Sequence, residues 1–249
     1  MRERRLAGVF PCLLGLLAVF LPAGTPLALD TETAVAGLKE ALGVGSTRAV
    51  DILGQVDGYL GNDDVRVPMP EKLKTVEKGL KMFGAEHLVD EFVISMNRAA
   101  EAAAPLATEV FLDTIKGMSF KDARRIVGGT EHEATDYLRE NAGGRLEELF
   151  LPIVDQQLET VGTTKALENL MASASRNPLT SGLSFDLPDY VTGKALDGMF
   201  LMISREEEKI RDDPGARTTE LLKKVFGGDD GGKKKPWWKR AFKGEDSGG

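Results

Sequence analysis

The sequence predicts an all-α fold, a multi-helix bundle of roughly eight to ten helices with a disordered C-terminal tail. Three observations carry that expectation: apolar residues recur at helical spacing, helix-start signatures punctuate the chain, and strand patterns are nearly absent.

Taken in order, residues 1–28 read as a removable leader rather than as part of the fold. MRERR is a basic head, Leu6 to Leu21 is apolar, and Pro22 to Ala28 carries small residues, which is the order of a secretory signal peptide. The apolar segment is shorter than the ~20 residues that a spanning helix needs, so an uncleaved anchor is the alternative reading. The bundle is expected over 29–227. DGYLGNDD (Asp57 to Asp64) is turn-rich, and Val65-Arg-Val-Pro beside it is the one short extended piece the pattern offers. Pro70-Glu71 opens a helix that ends at Gly84.

Leu88, Phe92, Met96, Ala99, Ala103 and Val110 then mark an amphipathic helix from Glu86 to Lys116, with Pro105 bending or breaking it. Its alanine-rich centre (RAAEAAAP) lets a neighbouring helix approach closely. Ser119-Phe-Lys-Asp122 and Thr130-Glu-His-Glu133 both have the form of capping boxes. Gly143 to Val161 reads as a further helix interrupted by Pro152, and Ser173 to Asp186 as a loop. Asp186-Leu-Pro-Asp opens a long helix that Pro214 closes. No internal repeat is present.

Composition narrows the chemistry. The single cysteine, Cys12, lies in the leader, so the mature chain has no disulfide, no zinc–thiolate site and no thiol nucleophile. Formal charge is −7, and about −9 once a leader with three arginines and one glutamate is removed. The tail 228–249 holds six bases against four acids, which puts the body near −11, an unfavourable partner for nucleic acid. Gly182-Leu-Ser184-Phe-Asp186 lacks the second glycine of a nucleophile elbow. Gly43-Val-Gly45 lacks the third glycine of a dinucleotide loop, and no Walker lysine follows a glycine run. The two histidines, His87 and His132, fit neither a zincin nor a di-iron bundle pattern. Glu131-His132-Glu133 splays about 100° per residue around a helix and cannot close on one ion, so no metal and no cofactor is expected. Glu206-Glu207-Glu208 sits among Arg205, Lys209 and Arg211, where pairing along the helix surface accounts for it.

One residue stands out. Asp197 lies inside ALDGMFLMI (Ala195 to Ile203), a run apolar enough to imply a buried central helix. A buried carboxylate needs a partner, and Lys194 stands three residues earlier with Tyr190 one turn further. Asn97, Arg98 and Glu101 on the alanine-rich helix are cross-helix candidates for the same cluster. The expected reading is a satisfied polar pair that sets helix register, with a ligand or catalytic site as the alternative. Gly193 and Gly198 each cost about 1 kcal/mol of helix stability unless close packing compensates.

The stretches GLKEAL (Gly37 to Leu42), VRVPMPE (Val65 to Glu71), MNRAAEAAAP (Met96 to Pro105), ATDYLRE (Ala134 to Glu140), FLPIV (Phe150 to Val154), DYVTGKALDGMFLMI (Asp189 to Ile203) and LLKKVFG (Leu221 to Gly227), in this order, resemble the bacterial family called domain of unknown function 4197. The resemblance implies an exported helical protein and brings no catalytic residues. The tail departs from that pattern. Its core KKKPWWKRAFK combines Lys233, Lys234, Lys235, Lys239, Arg240 and Lys243 with Trp237, Trp238 and Phe242, between glycine-rich flanks. That combination suits an anionic membrane surface; a simple solubility tail is the alternative.

The expected function is therefore a non-enzymatic binding module of the periplasm or cell exterior, taking an apolar ligand, a lipid or a protein partner. A hydrolase or lyase working through carboxylates and Lys194 is the alternative. A groove lined by Met199, Met202, Phe200 and Phe92 would favour the first. An open cleft joining Asp197, Lys194 and Arg98 would favour the second.

Overall fold

The computed structural model describes residues 31–130, 132–160, 162, 165–166 and 186–212. The leader, the tail, Glu131 and the loop-like stretch 173–185 lie outside the described residues. Among those described there are seven α-helices and two short 3-10 turns, and no strand. The all-α class is thus observed, while a count of eight to ten is not reached within these residues.

Helix α1 spans Thr31–Leu53. Ala34, Leu38, Ala41, Leu42, Ala49, Val50 and Leu53 fall at helical spacing and are buried, but Gly37, Gly43 and Gly45 weaken that signal in the sequence, and no helix is expected there from sequence. A 3-10 turn at Glu71–Leu73 leads into α2, Lys74–Met82, as Pro70-Glu71 suggests. The long Glu86–Lys116 pattern does break at Pro105. Helix α3 runs Glu86–Ala103, a 3-10 turn covers Ala104–Leu106, and α4 follows at Ala107–Gly117. Helix α5, Phe120–Gly128, begins with a reciprocal capping box between Ser119 and Asp122.

Helix α6 corrects the expectation of two pieces. It is one helix, Glu133–Thr160, running through both Gly143-Gly144 and Pro152. Ala134, Leu138, Ala142, Leu146, Phe150, Val154 and Leu158 are all buried. Their unbroken four-residue step crosses both interruptions, so tertiary packing overrides local propensity. Pro152 is exposed and so is Glu148, whose carbonyl loses its usual donor to the proline but faces water. Helix α7, Leu187–Asp212, starts where Asp186 accepts the Asp189 N–H at 3.1 Å.

Helix α7 packs chiefly against α6 and α1, while α3 and α4 pack on α6 and α4 also meets α1. Phe111 of α4 and Phe200 of α7 meet edge to face with centroids 5.8 Å apart. Phe92, Met199, Phe200 and Met202 belong to this core. All four are buried, which leaves them in the packed interior rather than along an open groove among the described residues. No described helix is long and apolar enough to cross a membrane.

Candidate functional site

Between α1 and the first 3-10 turn, residues 54–70 contain no regular secondary structure. A structureless connection longer than ~12–15 residues is uncommon in a bundle unless it is functional or untethered. This one is tethered by buried polar groups on α3 and α7.

Asn97, fully buried, accepts the Val67 N–H through Oδ1 at 2.8 Å. Its Nδ2 donates to the Val67 carbonyl at 2.9 Å and to the Val93 carbonyl at 2.8 Å. The side-chain amide thus does for Val67 what a neighbouring strand would do. That explains why Val65-Arg-Val-Pro reads as extended without belonging to a sheet.

Glu101, one turn later on α3, is also buried. Its Oε1 accepts the N–H groups of Tyr59 and Leu60 at 3.2 and 3.1 Å, and its Oε2 accepts from Arg98 at 2.6 Å. Arg98 also reaches Asp57 at 2.7 Å. Asp57 is the one non-glycine residue in the left-handed region among those described, with φ 68°. Both acids hold the Arg98 guanidinium above its usual range.

Tyr59 is fully buried and donates its hydroxyl to the Ala195 carbonyl of α7 at 2.7 Å. Burial, and then the charge of Glu101, push its phenol far above the ordinary tyrosine range. Tyr190 donates to the Pro68 carbonyl at 3.0 Å, and burial, then Glu71, raise its phenol as well. Gly198 supplies the close approach that lets the loop lie on α7. A Cβ there would stand 3.0 Å from Tyr59 Cε1 and 3.0 Å from Val65 Cβ. Gly193 has nothing within 4 Å and no such role.

Where the loop meets α7 there is a recess of about 240 Å³, lined by Asp64, Arg66, Pro68, Lys194, Asp197 and Leu201, with Val65 and Gly198 beneath. A larger shallow groove of about 640 Å³ lies elsewhere, between α1 and α4.

The expected polar cluster therefore divides in two. Asp197 is not buried; its side chain is 59% exposed, held by Lys194 at 3.4 Å and Arg139 at 3.5 Å. The reason lies in register. Gly193, Lys194, Asp197 and Leu201 fall on one narrow exposed stripe at helical spacing, with Ser204, Arg205 and Glu208 continuing it. The apolar run is buried on every other side, which hides the stripe from a linear reading. Arg98 does not reach Asp197. It belongs with Glu101 and Asp57, so Asp197, Lys194 and Arg98 share no cleft. Arg139, which no spacing rule pairs with Asp197, takes that place and lies 4.4 Å over the Phe200 ring.

A second correction concerns Glu206 and Glu207, read from sequence as part of a solvated helix end. Glu206 does pair with Lys209, at 2.6 Å, but it is completely buried and also accepts from Arg48 at 3.1 Å. Glu207, also buried, accepts from the Ala134 and Thr135 N–H groups at 3.2 and 2.9 Å and from the Thr135 hydroxyl at 2.8 Å. It thereby supplies the first turn of α6 with acceptors and a favourable negative charge. The signal was present: Glu207 stands four residues after Ile203 and three before Ile210, both buried, and so on the core face. His132 bonds Ser204 at 2.7 Å, and no group of three metal-ligating side chains exists among the described residues. The membrane-contact candidates of the tail lie outside the described residues.

Residues 28–227, well over half the chain, match the model of the family described as Protein of unknown function (DUF4197). The chain belongs to that family. Neither a curated protein nor a solved structure matches the chain. The DUF4197 match spans α1 through α7, the pinned loop and the recess, and its description assigns no activity to them.

Proposed function

We propose that this DUF4197 protein is a non-enzymatic binding module of the cell envelope, exported by residues 1–28 and touching an anionic membrane surface through 233–243. The observation that carries the binding role is the pinned loop. Three buried side chains, Asn97, Glu101 and Tyr59, hold 54–70 in one conformation. Desolvating such groups is costly, and what it secures here is the fixed presentation of Arg66, Asp64 and Pro68 beside Lys194, Asp197 and Leu201. Two cations and two carboxylates next to an exposed leucine and proline suit a ligand or protein segment that carries a charged group beside an apolar one. Arg66 is exposed and has no ion-pair partner among the described residues, so it is the residue assigned to the incoming charge.

Carboxylate–lysine catalysis has less support. Both oxygens of Asp197 already face cations in an exposed setting, and Glu101, Glu206 and Glu207 are each taken up by several donors.

Native mass spectrometry of the protein purified from its own envelope tests the reading. The wild type should carry an adduct that Arg66→Glu loses while keeping its helical circular dichroism. An adduct equally retained by the variant would move the site elsewhere, and its absence from both would remove ligand binding from the account.

A further inference from the structure

The corner between α2 and α3 exposes the two most solvent-facing large apolar side chains among the described residues. Met82 is 83% and Phe83 87% exposed. This is not a frayed end. Gly84 takes φ +70°, its N–H donates to the Lys81 carbonyl at 3.3 Å, and the Ala85 N–H donates to the Leu80 carbonyl at 2.9 Å. Those two bonds form a Schellman closure, with Leu80 buried and Ala85 packed against the core. The corner is a fixed prow that points Met82 and Phe83 outward.

Charge around the prow is asymmetric. On the α2 side Lys74 and Lys81 are matched by Glu71 and Glu77, while Lys72 and Lys78 are exposed and have no ion-pair partner among the described residues. Lys78 lies one turn before Met82, on the same face. On the α3 side Glu86 and Asp90 bring negative charge toward Lys81. An anionic surface would therefore be met by the α2 face and held off by the α3 face.

We propose that the Met82–Phe83 corner inserts into the interface of an anionic lipid bilayer, with Lys72 and Lys78 at headgroup level. Two side chains fall far short of the ~800 Å² per partner that a stable protein interface buries. A lipid interface needs no complementary socket and accepts isolated apolar side chains flanked by cations that snorkel. The inference rests on the envelope location read above and adds a folded contact point to the tail.

The mature chain has no cysteine, so one can be placed at will. The leaderless protein carrying Phe83→Cys with a polarity-sensitive fluorophore is mixed with phosphatidylcholine vesicles, with and without phosphatidylglycerol. Phe120→Cys is labelled as the control, and both are repeated on the chain truncated at Gly228. The expected result is a blue shift at position 83, with or without the tail, on phosphatidylglycerol vesicles and none at position 120. Met82→Ser/Phe83→Ser should weaken vesicle binding about tenfold while melting is unchanged, since the area removed is already in water. If the full chain co-sediments but the label at 83 stays aqueous, the corner is overturned and the tail reading survives. Failure of the full chain to sediment at all overturns both. A shift that grows with protein concentration in the absence of lipid overturns the proposal in favour of self-association.

Discussion

Two polar clusters border the loop 54–70, and they differ in kind. On α3, Asn97 and Glu101 are buried and make four hydrogen bonds to loop backbone. On α7, Lys194 and Asp197 are exposed and bond to each other and, through Asp197, to Arg139. The first cluster holds the loop and the second decorates the recess the loop helps to form. Burial, not residue type, separates structure from availability: a desolvated carboxylate without partners is ruinous, whereas an exposed one is nearly free to change.

The largest expected effect is at Glu101. Glu101→Ala should cost about 3–5 kcal/mol, because it strands the Tyr59 and Leu60 N–H groups and leaves the partly buried Arg98 with Asp57 alone. Chemical denaturation measures this directly. A loss below ~1 kcal/mol would mean the loop is not held by this carboxylate, and the contrast between the clusters would dissolve.

Next come the two glycines of α7, where the sign of the effect is the test. Gly198→Ala should destabilise by about 1–3 kcal/mol, since the new Cβ meets Tyr59 and Val65 at 3.0 Å. Gly193→Ala, exposed and with no neighbour within 4 Å, should stabilise by about 0.5–1 kcal/mol through helix propensity. Equal effects at both positions would deny the close approach of loop and helix.

How much of this was legible follows from what a one-dimensional pattern can hold. The Pro105 break, the Ser119 cap and the Asp186 start are local chemistry, and the structure bears them out. The continuity of α6 was hidden, because Gly143-Gly144 and Pro152 are local breakers that a run of buried residues four apart overrules. The six candidates Tyr190, Lys194, Asp197, Asn97, Arg98 and Glu101 do border one loop. Their grouping was misread because partners 30 to 42 residues apart, such as Asn97 with Val67 and Glu101 with Tyr59, leave no spacing rule in the sequence. Tyr59 was missed for the same reason, lying in a turn-rich stretch that gives no sign of burial.

Alkaline pH probes the buried side of the comparison. The Tyr59 phenol is raised by burial and by Glu101, so the folded state keeps its proton where the unfolded chain, with a phenol near ~10, has begun to lose it. Tyrosine's contribution is thus complete below pH ~10 and is lost as pH rises above it, at up to about 1.4 kcal/mol per pH unit. Tyr137 and Tyr190 are shifted the same way and share the slope. Tyr59→Phe should flatten it most, and a slope unchanged by that substitution would place the alkaline sensitivity elsewhere.

The smallest effect is the one that a reading of ALDGMFLMI as buried would make large. Asp197→Ala removes two contacts of 3.4 and 3.5 Å from a side chain 59% exposed to water. Such pairs contribute ~0–1 kcal/mol, and alanine returns a few tenths in helix propensity, so the net change should stay within ~0.5 kcal/mol. Lys194 and Arg139 lose an anion but remain hydrated, and neither is left stranded in an apolar site. The same substitution removes one of the two carboxylates from the recess wall and leaves Arg66 and Lys194 in place. Binding of an anionic group there should therefore strengthen while the melting temperature holds still. A loss of 3 kcal/mol or more, the scale of a broken buried pair, would put Asp197 in the core and merge the two clusters into one.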